Sequence, residues 1–157
     1  MPNITLESIH FVKGVDPVAD FMAGTVSSDV VSLENYDRAI FIIHKGVGAT
    51  GTSVITVEAC DDFTPSNSTA VPFRYQAITS GDTKGAVTEA TASGFTTTAG
   101  SSQAYLVEVD AIECGKQGYG NVRLVATEDT NSPVIGSIGI LLVNSRYGVS
   151  VPATAIA

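Results

Sequence analysis

The chain contains no tryptophan, and charged residues make up only 15% of its 157 positions. Apolar residues reach 44%, a share that excludes an intrinsically disordered chain. The longest apolar stretch, VIGSIGILLV, is too short for a membrane-spanning helix. These absences leave a globular protein as the expected class. The length fits one domain, which hides roughly 70% of its unfolded surface on folding.

Cysteine is also scarce, with Cys60 and Cys114 alone in the chain, and neither belongs to a C-x-x-C pair. Because cysteine commonly behaves as a small apolar core residue, we predict two buried free thiols and no metal site. A disulfide between them would require that the fold bring them together, and assembly inside a cell argues against it.

Basic residues are half as numerous as acidic ones, eight against sixteen, so the net charge is −8. A field of this sign repels phosphate groups, which excludes nucleic acid as an expected partner. The first residues, MPNITLESIHFVKG, lack the basic start, apolar run and small-residue cleavage site of a signal peptide. We therefore expect synthesis in the cytoplasm and no membrane partner.

Apolar and polar residues alternate along most of the chain, which is typical of strands, whereas helical periodicity is nearly missing. The clearest examples are SVITVEAC, QAYLVEVD and NVRLVATE. AIFIIHK and IGILLVN are apolar on both faces, which predicts central or interface strands. Turn-forming clusters separate these segments at the spacing of a sandwich or barrel. The predicted fold class is all-β: an antiparallel β-sandwich or jelly-roll-like barrel, with an extended N-terminal arm and C-terminal tail.

The strands also predict one core between two packed sheets. Each predicted member is an apolar residue of an alternating strand, or of a strand that is apolar throughout. These members are Ile40, Ile42, Ile55, Val57, Val107, Leu124 and Leu141.

The stretch AIFIIHKGVGATGTSVITVEACDD holds Gly46, Gly48 and Gly51 at the spacing G-x-G-x-x-G of a dinucleotide-binding loop. That loop requires a helix directly after the glycines, because the pyrophosphate binds at the helix amino terminus. Here a strand pattern follows, and no acidic residue stands at the ribose-binding distance. We predict a β-hairpin between two paired strands, and no cofactor.

Other residues capable of chemistry are isolated. Asp61 and Asp62 end a strand without the D-x-D-x-D-G pattern of a calcium loop, so we expect a solvated acidic corner. His10 and His44 have no second histidine or cysteine nearby, and we expect ordinary strand histidines. No G-x-S-x-G motif or triad is evident, so no catalytic residue is predicted and the chain is not expected to be an enzyme.

Both ends of the chain are apolar, which is unusual for termini that fray in solvent. We divide the chain into an N-terminal arm or edge strand (1–23), a β-sandwich domain (24–147) and an extended C-terminal tail (148–157). The apolar end residues are interface candidates, although they could equally add edge strands to their own sheet. These candidates are Ile4, Leu6, Ile9, Phe11, Val12, Phe21, Met22, Tyr147, Val149, Val151 and Ile156.

The stretches SLENYDRAIFIIHKGVGATGTSVITVEACDD, FRYQAITSGDT and RYGVSVPA resemble small proteins of tailed bacteriophages and prophages that are encoded near the major capsid protein. The resemblance spans most of the chain from residue 24 onward. It implies a head decoration, or cement, protein that binds the major capsid protein on the outside of the expanded capsid. It also implies a homotrimer located on the virion surface, and it supplies no catalytic residues.

Two other functions stay open at this point. A phage tail or neck protein would also be rich in strands and oligomeric, so composition does not separate it from a decoration protein. A carbohydrate-binding module is the other class, since β-sandwiches bind glycans on exposed aromatic platforms. The absence of tryptophan and the scattered positions of the five tyrosines disfavour that class.

Overall fold

The structure, a computed structural model, describes residues 5–47 and 50–147. Two short helices are present there, α1 (Thr5–Ser8) and α2 (Ala111–Gly115). The strands are β1 (His10–Val18), β2 (Thr25–Ser27), β3 (Val31–Ser32), β4 (Tyr36–Lys45), β5 (Thr52–Cys60), β6 (Ser68–Val71), β7 (Phe73–Ile78), β8 (Thr88–Ala90), β9 (Phe95–Thr96), β10 (Ala104–Asp110), β11 (Asn121–Thr130) and β12 (Gly136–Ser145). Neither helix is long and apolar enough to cross a membrane.

The strands form two antiparallel sheets that pack face to face. Sheet A has the order β1-β12-β4-β10-β7-β8. Sheet B has the order β2-β11-β5-β6, with β3 also paired to β11 and β9 paired to β5. The all-β prediction is confirmed, and of its two architectures the sandwich is the observed one: among the described residues the edge strands β1 and β8 of sheet A do not pair to close a barrel.

Alternating sequence correctly predicts the inward face of β5, β10 and β11. Ile55 and Val57 on β5, Val107 on β10 and Leu124 on β11 are each 0% exposed in the core between the sheets. The residues between them, such as Glu58 on β5, keep contact with solvent. This agreement follows from period-two geometry, because successive side chains of a strand point to opposite faces.

The predicted facing of β4 and β12 is wrong. Ile40, Ile42 and Leu141 are only partly buried and point away from sheet B, whereas their neighbours Phe41 and Ile140 are fully buried. A strand that is apolar on both faces carries no contrast between them, so its pattern does not specify which face enters the core. The prediction that these two strands are central is correct, since β12, β4 and β10 occupy the middle of sheet A.

The GVGATG segment is not a hairpin. It joins β4 of sheet A to β5 of sheet B, and β4 pairs instead with β10 and β12. Gly51 is required there for space, because a Cβ atom at that position would collide with the backbone carbonyl oxygen of Ser132. A glycine-rich turn thus marks the end of a strand correctly, but it does not specify whether the flanking strands pair with each other.

The two cysteines are buried and free, as predicted. Burial raises the pKa of the Cys60 thiol to about 11, and the pKa of the Cys114 thiol to about 12. Both thiols are therefore protonated near neutral pH and behave as small apolar groups.

Candidate assembly surface on the outer face of sheet A

Two interface candidates, Phe21 and Met22, lie inside the protein's own core, where each residue is 1% exposed. The chain turns inward after β1, and the Phe21 amide donates a hydrogen bond to the carbonyl oxygen of Val134 at 3.0 Å. The structure therefore corrects the expectation that these side chains contact a partner. An apolar segment near a terminus is equally compatible with an arm and with a core segment, and here tertiary packing decides for the core.

The other described candidates stay closer to the surface. Leu6 on α1 and Tyr147 after β12 are exposed, and Ile9 is half-buried. Val12 is partly buried against the core, whereas Phe11, its neighbour on β1, is 58% exposed. Residues 10–18, for which arm and edge strand were both open, form the edge strand β1. Ile4, Val149, Val151 and Ile156 lie outside the described residues.

We call the face of sheet A that points away from sheet B the outer face. The strand register shows which residues lie side by side in each row of this face. One row runs Phe11, Leu141, Ile40, Glu108, Arg74 and Glu89. The next row runs Lys13, Gly139, Ile42, Leu106 and Gln76. The flanking rows contribute Val143, Arg38 and Asp110 on one side, and Ser137, His44, Ala104 and Ile78 on the other.

Apolar side chains cross the middle of the outer face as a continuous band, hereafter the apolar stripe. It consists of Phe11, Ile40, Ile42, Leu106, Leu141 and Val143. Ile40 pairs directly with Leu141, and Ile42 with Leu106, so apolar side chains face each other across strands. The ring of Phe11 lies over Gly139, where an added Cβ would come within 2.9 Å of the ring. The stripe therefore presents apolar surface on a face that sheet B leaves uncovered.

A cluster of ion pairs occupies one corner of the outer face. Arg38 contacts Glu108 at 3.1 Å and Asp110 at 2.8 Å. Arg74 contacts Asp110 at 3.4 Å, and both Glu108 and Glu89 at 3.8 Å. Each of these charges already has a partner of opposite sign within the same face.

A groove of about 370 Å³ opens beside this corner. Its walls include Phe73 and the charged residues Arg74, Glu89, Glu113 and Lys116. Glu113 and Lys116 pair with each other at 2.6 Å. Each acidic side chain that lines the groove lies within 3.8 Å of an arginine or lysine side chain, so the groove offers a charged ligand little that is unpaired. Among the described residues, no group of three or more His, Cys, Asp or Glu side chains is placed to hold a metal ion.

The acidic corner after β5 is used by its own loop. The Asp61 carboxylate accepts hydrogen bonds from the Ser66 amide at 3.1 Å and from the Asn67 amide at 3.0 Å. The Asn67 side chain donates a further bond at 2.9 Å, and this bond is the main reason that the Asp61 pKa is lowered. Asp61 thus closes a turn, whereas Asp62 accepts only a bond from the amide of the next residue.

The two histidines are separate from each other. His10, at the start of β1, stacks on Tyr36 with 6.5 Å between ring centroids. His44 is exposed in an outer row of sheet A and pairs in register with Ser137. Among the described residues, neither histidine belongs to a group of three or more His, Cys, Asp or Glu side chains that could hold a metal ion.

Four aromatic residues, Phe73, Tyr75, Phe95 and Tyr105, cluster between the sheets. Tyr75 and Phe95 stack with 3.8 Å between centroids, and Phe95 also contacts Phe73 and Tyr105. This cluster joins β7 and β10 of sheet A to β9 of sheet B. These aromatic side chains thus pack between the two sheets, and they do not form an exposed aromatic platform of the kind that binds glycans.

Sequence reasoning missed a buried lysine. Lys45 ends β4 and is 0% exposed. Its ammonium donates to the carbonyl oxygens of Thr98 at 2.8 Å and Gly51 at 3.2 Å, and it lies 3.5 Å from the side-chain oxygen of Gln103. Burial lowers the pKa of this ammonium. The strand alternation could have indicated this burial, because side chains two residues apart on a strand point to the same face. Lys45 is two residues beyond Ile43, which is buried.

Comparison with known proteins yields no family. No family model and no curated protein match the chain. The solved structure of the SPBc2 prophage-derived protein YomS is similar with a TM-score of 0.46 and 11% identity, over 87% of this chain and 93% of that protein. Infectious bursal disease virus structures, Gx and Gt strains, give TM-scores of 0.24 and 0.22 and identities of 12% and 13%, over 86% and 95% of this chain and 42% and 43% of theirs. Likenesses this weak establish neither a shared fold nor a shared role.

Proposed function

We propose that this chain is a non-enzymatic structural subunit of a bacteriophage virion. More specifically, we propose a head decoration protein that binds the major capsid protein on the outside of the expanded capsid, and that acts as a homotrimer. The resemblance of SLENYDRAIFIIHKGVGATGTSVITVEACDD and two further stretches to this group supports the proposal. The apolar stripe is the structural observation that carries it.

The stripe supports an assembly role because of what an antiparallel sheet normally shows to solvent. Such a sheet buries one face and presents polar residues on the other. The outer face of sheet A instead sets Ile40 against Leu141 and Ile42 against Leu106. These four side chains are only partly buried, and contiguous apolar surface that keeps contact with solvent marks contact sites between proteins.

A decoration protein needs no chemistry, because binding alone stabilises the shell. A subunit that binds the expanded lattice and not the compact precursor lowers the free energy of the expanded state by mass action. Particles that lack the subunit should still assemble, but should lose their DNA more readily on heating.

The deciding experiment is to locate the chain on the virions of the phage that encodes it, by cryo-electron microscopy with antibody labelling. We expect regular density on the head lattice, and binding of purified protein to expanded heads but not to precursor shells. Density confined to the tail or neck would replace decoration by a tail or neck role. Absence of the chain from purified virions would refute the virion assignment.

A further inference from the structure

We propose that the outer face of sheet A packs against the same face of a second copy of this chain. Because both copies use the same face, the contact has twofold symmetry and would join subunits of two different trimers, not the subunits of one trimer. The inference deepens the proposed function, on which it rests for the setting in which copies assemble. Its physical basis is separate, and lies in the composition, charge and size of the outer face and in the condition of the neighbouring sheet edge.

The composition of the face is the first argument. On the outer side of sheet B, Val54 pairs with Thr127 and Glu58 with Arg123, so the side chains there are mixed or polar. On the outer face of sheet A, two central pairs, Ile40–Leu141 and Ile42–Leu106, are apolar on both strands. Both sheets are antiparallel, but their outer sides differ. The outer side of sheet B is suited to contact with water, and the apolar pairs on the outer face of sheet A are not.

Charge is the second argument, and it favours a copy of the same chain. The register rows of the outer face contain three basic residues and three acidic ones: Lys13, Arg38, Arg74, Glu89, Glu108 and Asp110. Subtracting these from the eight basic and sixteen acidic residues of the chain leaves five and thirteen elsewhere. The net charge of −8 therefore lies outside these rows.

A nearly neutral face lets two acidic molecules approach without strong repulsion. Asp16 pairs with Lys13 at 3.5 Å at the rim, which adds at most one negative charge. A face adapted to a basic partner would hold unpaired carboxylates, whereas Glu108 and Asp110 are each bound by both Arg38 and Arg74. Covering this corner with an identical corner leaves its internal ion pairs intact.

The size of the face sets an upper limit on the contact that it can make. Six strands at a spacing of ~4.8 Å span about 24 Å, and ten residues of β4 at ~3.3 Å each span about 33 Å. The face therefore offers at most about 800 Å², which is close to what each partner of a standard interface buries, ~800 Å². Sheets that pack face to face lie about 10 Å apart, a distance that the side chains of the apolar stripe can fill.

One edge of the same sheet, strand β1, is protected, which disfavours association along that edge. On β1 the pairing with β12 shifts register between Lys13 and Val15 and again before Val18. Pro17 removes a backbone donor, and the Asp29 amide occupies the Gly14 carbonyl oxygen at 3.0 Å. Charges, proline and bulges are the devices by which proteins prevent pairing along an edge strand.

The test is the mass of the purified full chain in solution, measured by light scattering and analytical ultracentrifugation from about 1 to 100 µM. We expect an oligomer with an even number of subunits, because the contact is twofold, and an apparent dissociation constant that rises at least about tenfold in the double variant Ile42→Thr/Leu106→Thr. The matched control is Val54→Thr on the outer side of sheet B, which should leave the mass unchanged. Circular dichroism of each variant should retain the strand spectrum.

Two further measurements protect the test against a variant that folds poorly. Phe11→Ser alters an exposed ring on the edge strand and should also weaken association. Raising NaCl from about 0.02 to 0.5 M should tighten association, because salt screens repulsion between two acidic copies and leaves apolar contact in place. Weakening by salt would indicate a contact held by unlike charges and would overturn the proposal.

The outcomes separate this inference from the proposed function. A wild-type chain that stays monomeric at 100 µM, or folded stripe variants that keep the wild-type mass, would refute the packing of two outer faces. Binding of that monomer to expanded heads would leave the decoration role standing. An oligomer that depends on the apolar stripe, does not bind expanded heads and is absent from virions would support the packing of two outer faces and would refute the decoration role.

Discussion

The outer sides of the two sheets differ although their strands are paired with equal regularity. On sheet A, Ile40 faces Leu141 across adjacent strands, so apolar side chains are neighbours. On sheet B, Val54 faces Thr127, so an apolar side chain has a polar neighbour. Both sides also carry a direct cross-strand ion pair, Arg38–Asp110 at 2.8 Å on sheet A and Arg123–Glu58 at 2.7 Å on sheet B.

The contrast shows that charge alone does not distinguish the proposed assembly surface from the solvated outer side of sheet B. What differs is how apolar residues are arranged. Dispersed among threonines, they form an ordinary sheet surface, since isolated apolar side chains at a surface are common. Placed opposite one another on three central strands, they form a continuous area that water solvates poorly.

The largest expected effect separates the two sides of a single strand. Leu142 on β12 is 0% exposed, whereas the adjacent Leu141 is partly buried on the outer face. Leu142→Ala should lower the free energy of unfolding by about 2 to 5 kcal/mol, because it leaves a cavity in the core. Leu141→Ala should cost about 1 kcal/mol or less in the monomer. Urea unfolding at a concentration where the chain is monomeric measures both.

This pair of variants is its own control, because the residue type, the strand and the substitution are the same. Equal losses at the two positions would show that the outer side of sheet A is covered within the monomer. The comparison of the two outer sides would then lose its basis.

The next effect concerns the polar contacts that hold both sheets together at one end. Lys45→Met leaves the oxygen atoms of Gly51 and Thr98 without their donor, which should cost about 1 to 3 kcal/mol. The loss should be larger at pH 10 than at pH 7. Burial lowers the pKa of Lys45 in the folded state, so the charged amine destabilises the fold below the folded-state pKa. This cost disappears as the pH rises toward the unfolded value of about 10.4.

Denaturant unfolding of wild type and Lys45→Met at the two pH values gives the difference directly. Lys84→Met, at an exposed loop position, is the matched control and should show no such pH dependence. A loss that shrinks between pH 7 and pH 10 would contradict the assignment of burial as the cause of the lowered pKa.

A smaller effect tests the ion pair on the solvated side. Arg123 approaches the same Glu58 oxygen with two nitrogens, at 2.9 and 2.7 Å, and the two residues pair directly across β11 and β5. A double-mutant cycle with Arg123→Ala and Glu58→Gln should give a coupling of about 0.5 to 1 kcal/mol that weakens in 0.5 M NaCl. A coupling near zero would show that this pair is as dispensable as most surface ion pairs.

The smallest effect applies the same change to both outer sides. Val54→Thr and Ile42→Thr should each shift the unfolding free energy of the monomer by about 0.5 to 1 kcal/mol, because threonine suits strands and the positions are half-buried. Thermal unfolding of the two variants should therefore be similar. A much larger loss at Ile42 would mean that its side chain contributes to the monomer's own core.

Part of the proposed assembly surface was visible in the sequence. Two-sided apolar runs indicated that β4 and β12 are central or interface strands, and Phe11 was among the predicted interface residues. Leu106 was not, because its strand alternates and its outward positions include Glu108 and Asp110. Only the register with β4 shows that Leu106 stands beside Ile42 rather than among charges.

By itself the sequence determined that the chain is all-β, where five of the twelve described strands lie, and which face of β5, β10 and β11 enters the core. These are local properties, because alternation marks a face wherever its two sides differ. Tertiary structure alone decided that GVGATG joins two sheets, that Phe21 and Met22 are buried, and which side of β4 faces outward. Each of these depends on contacts between residues distant in the chain, and the free energy of burying an apolar side chain is nearly the same whichever apolar neighbour covers it.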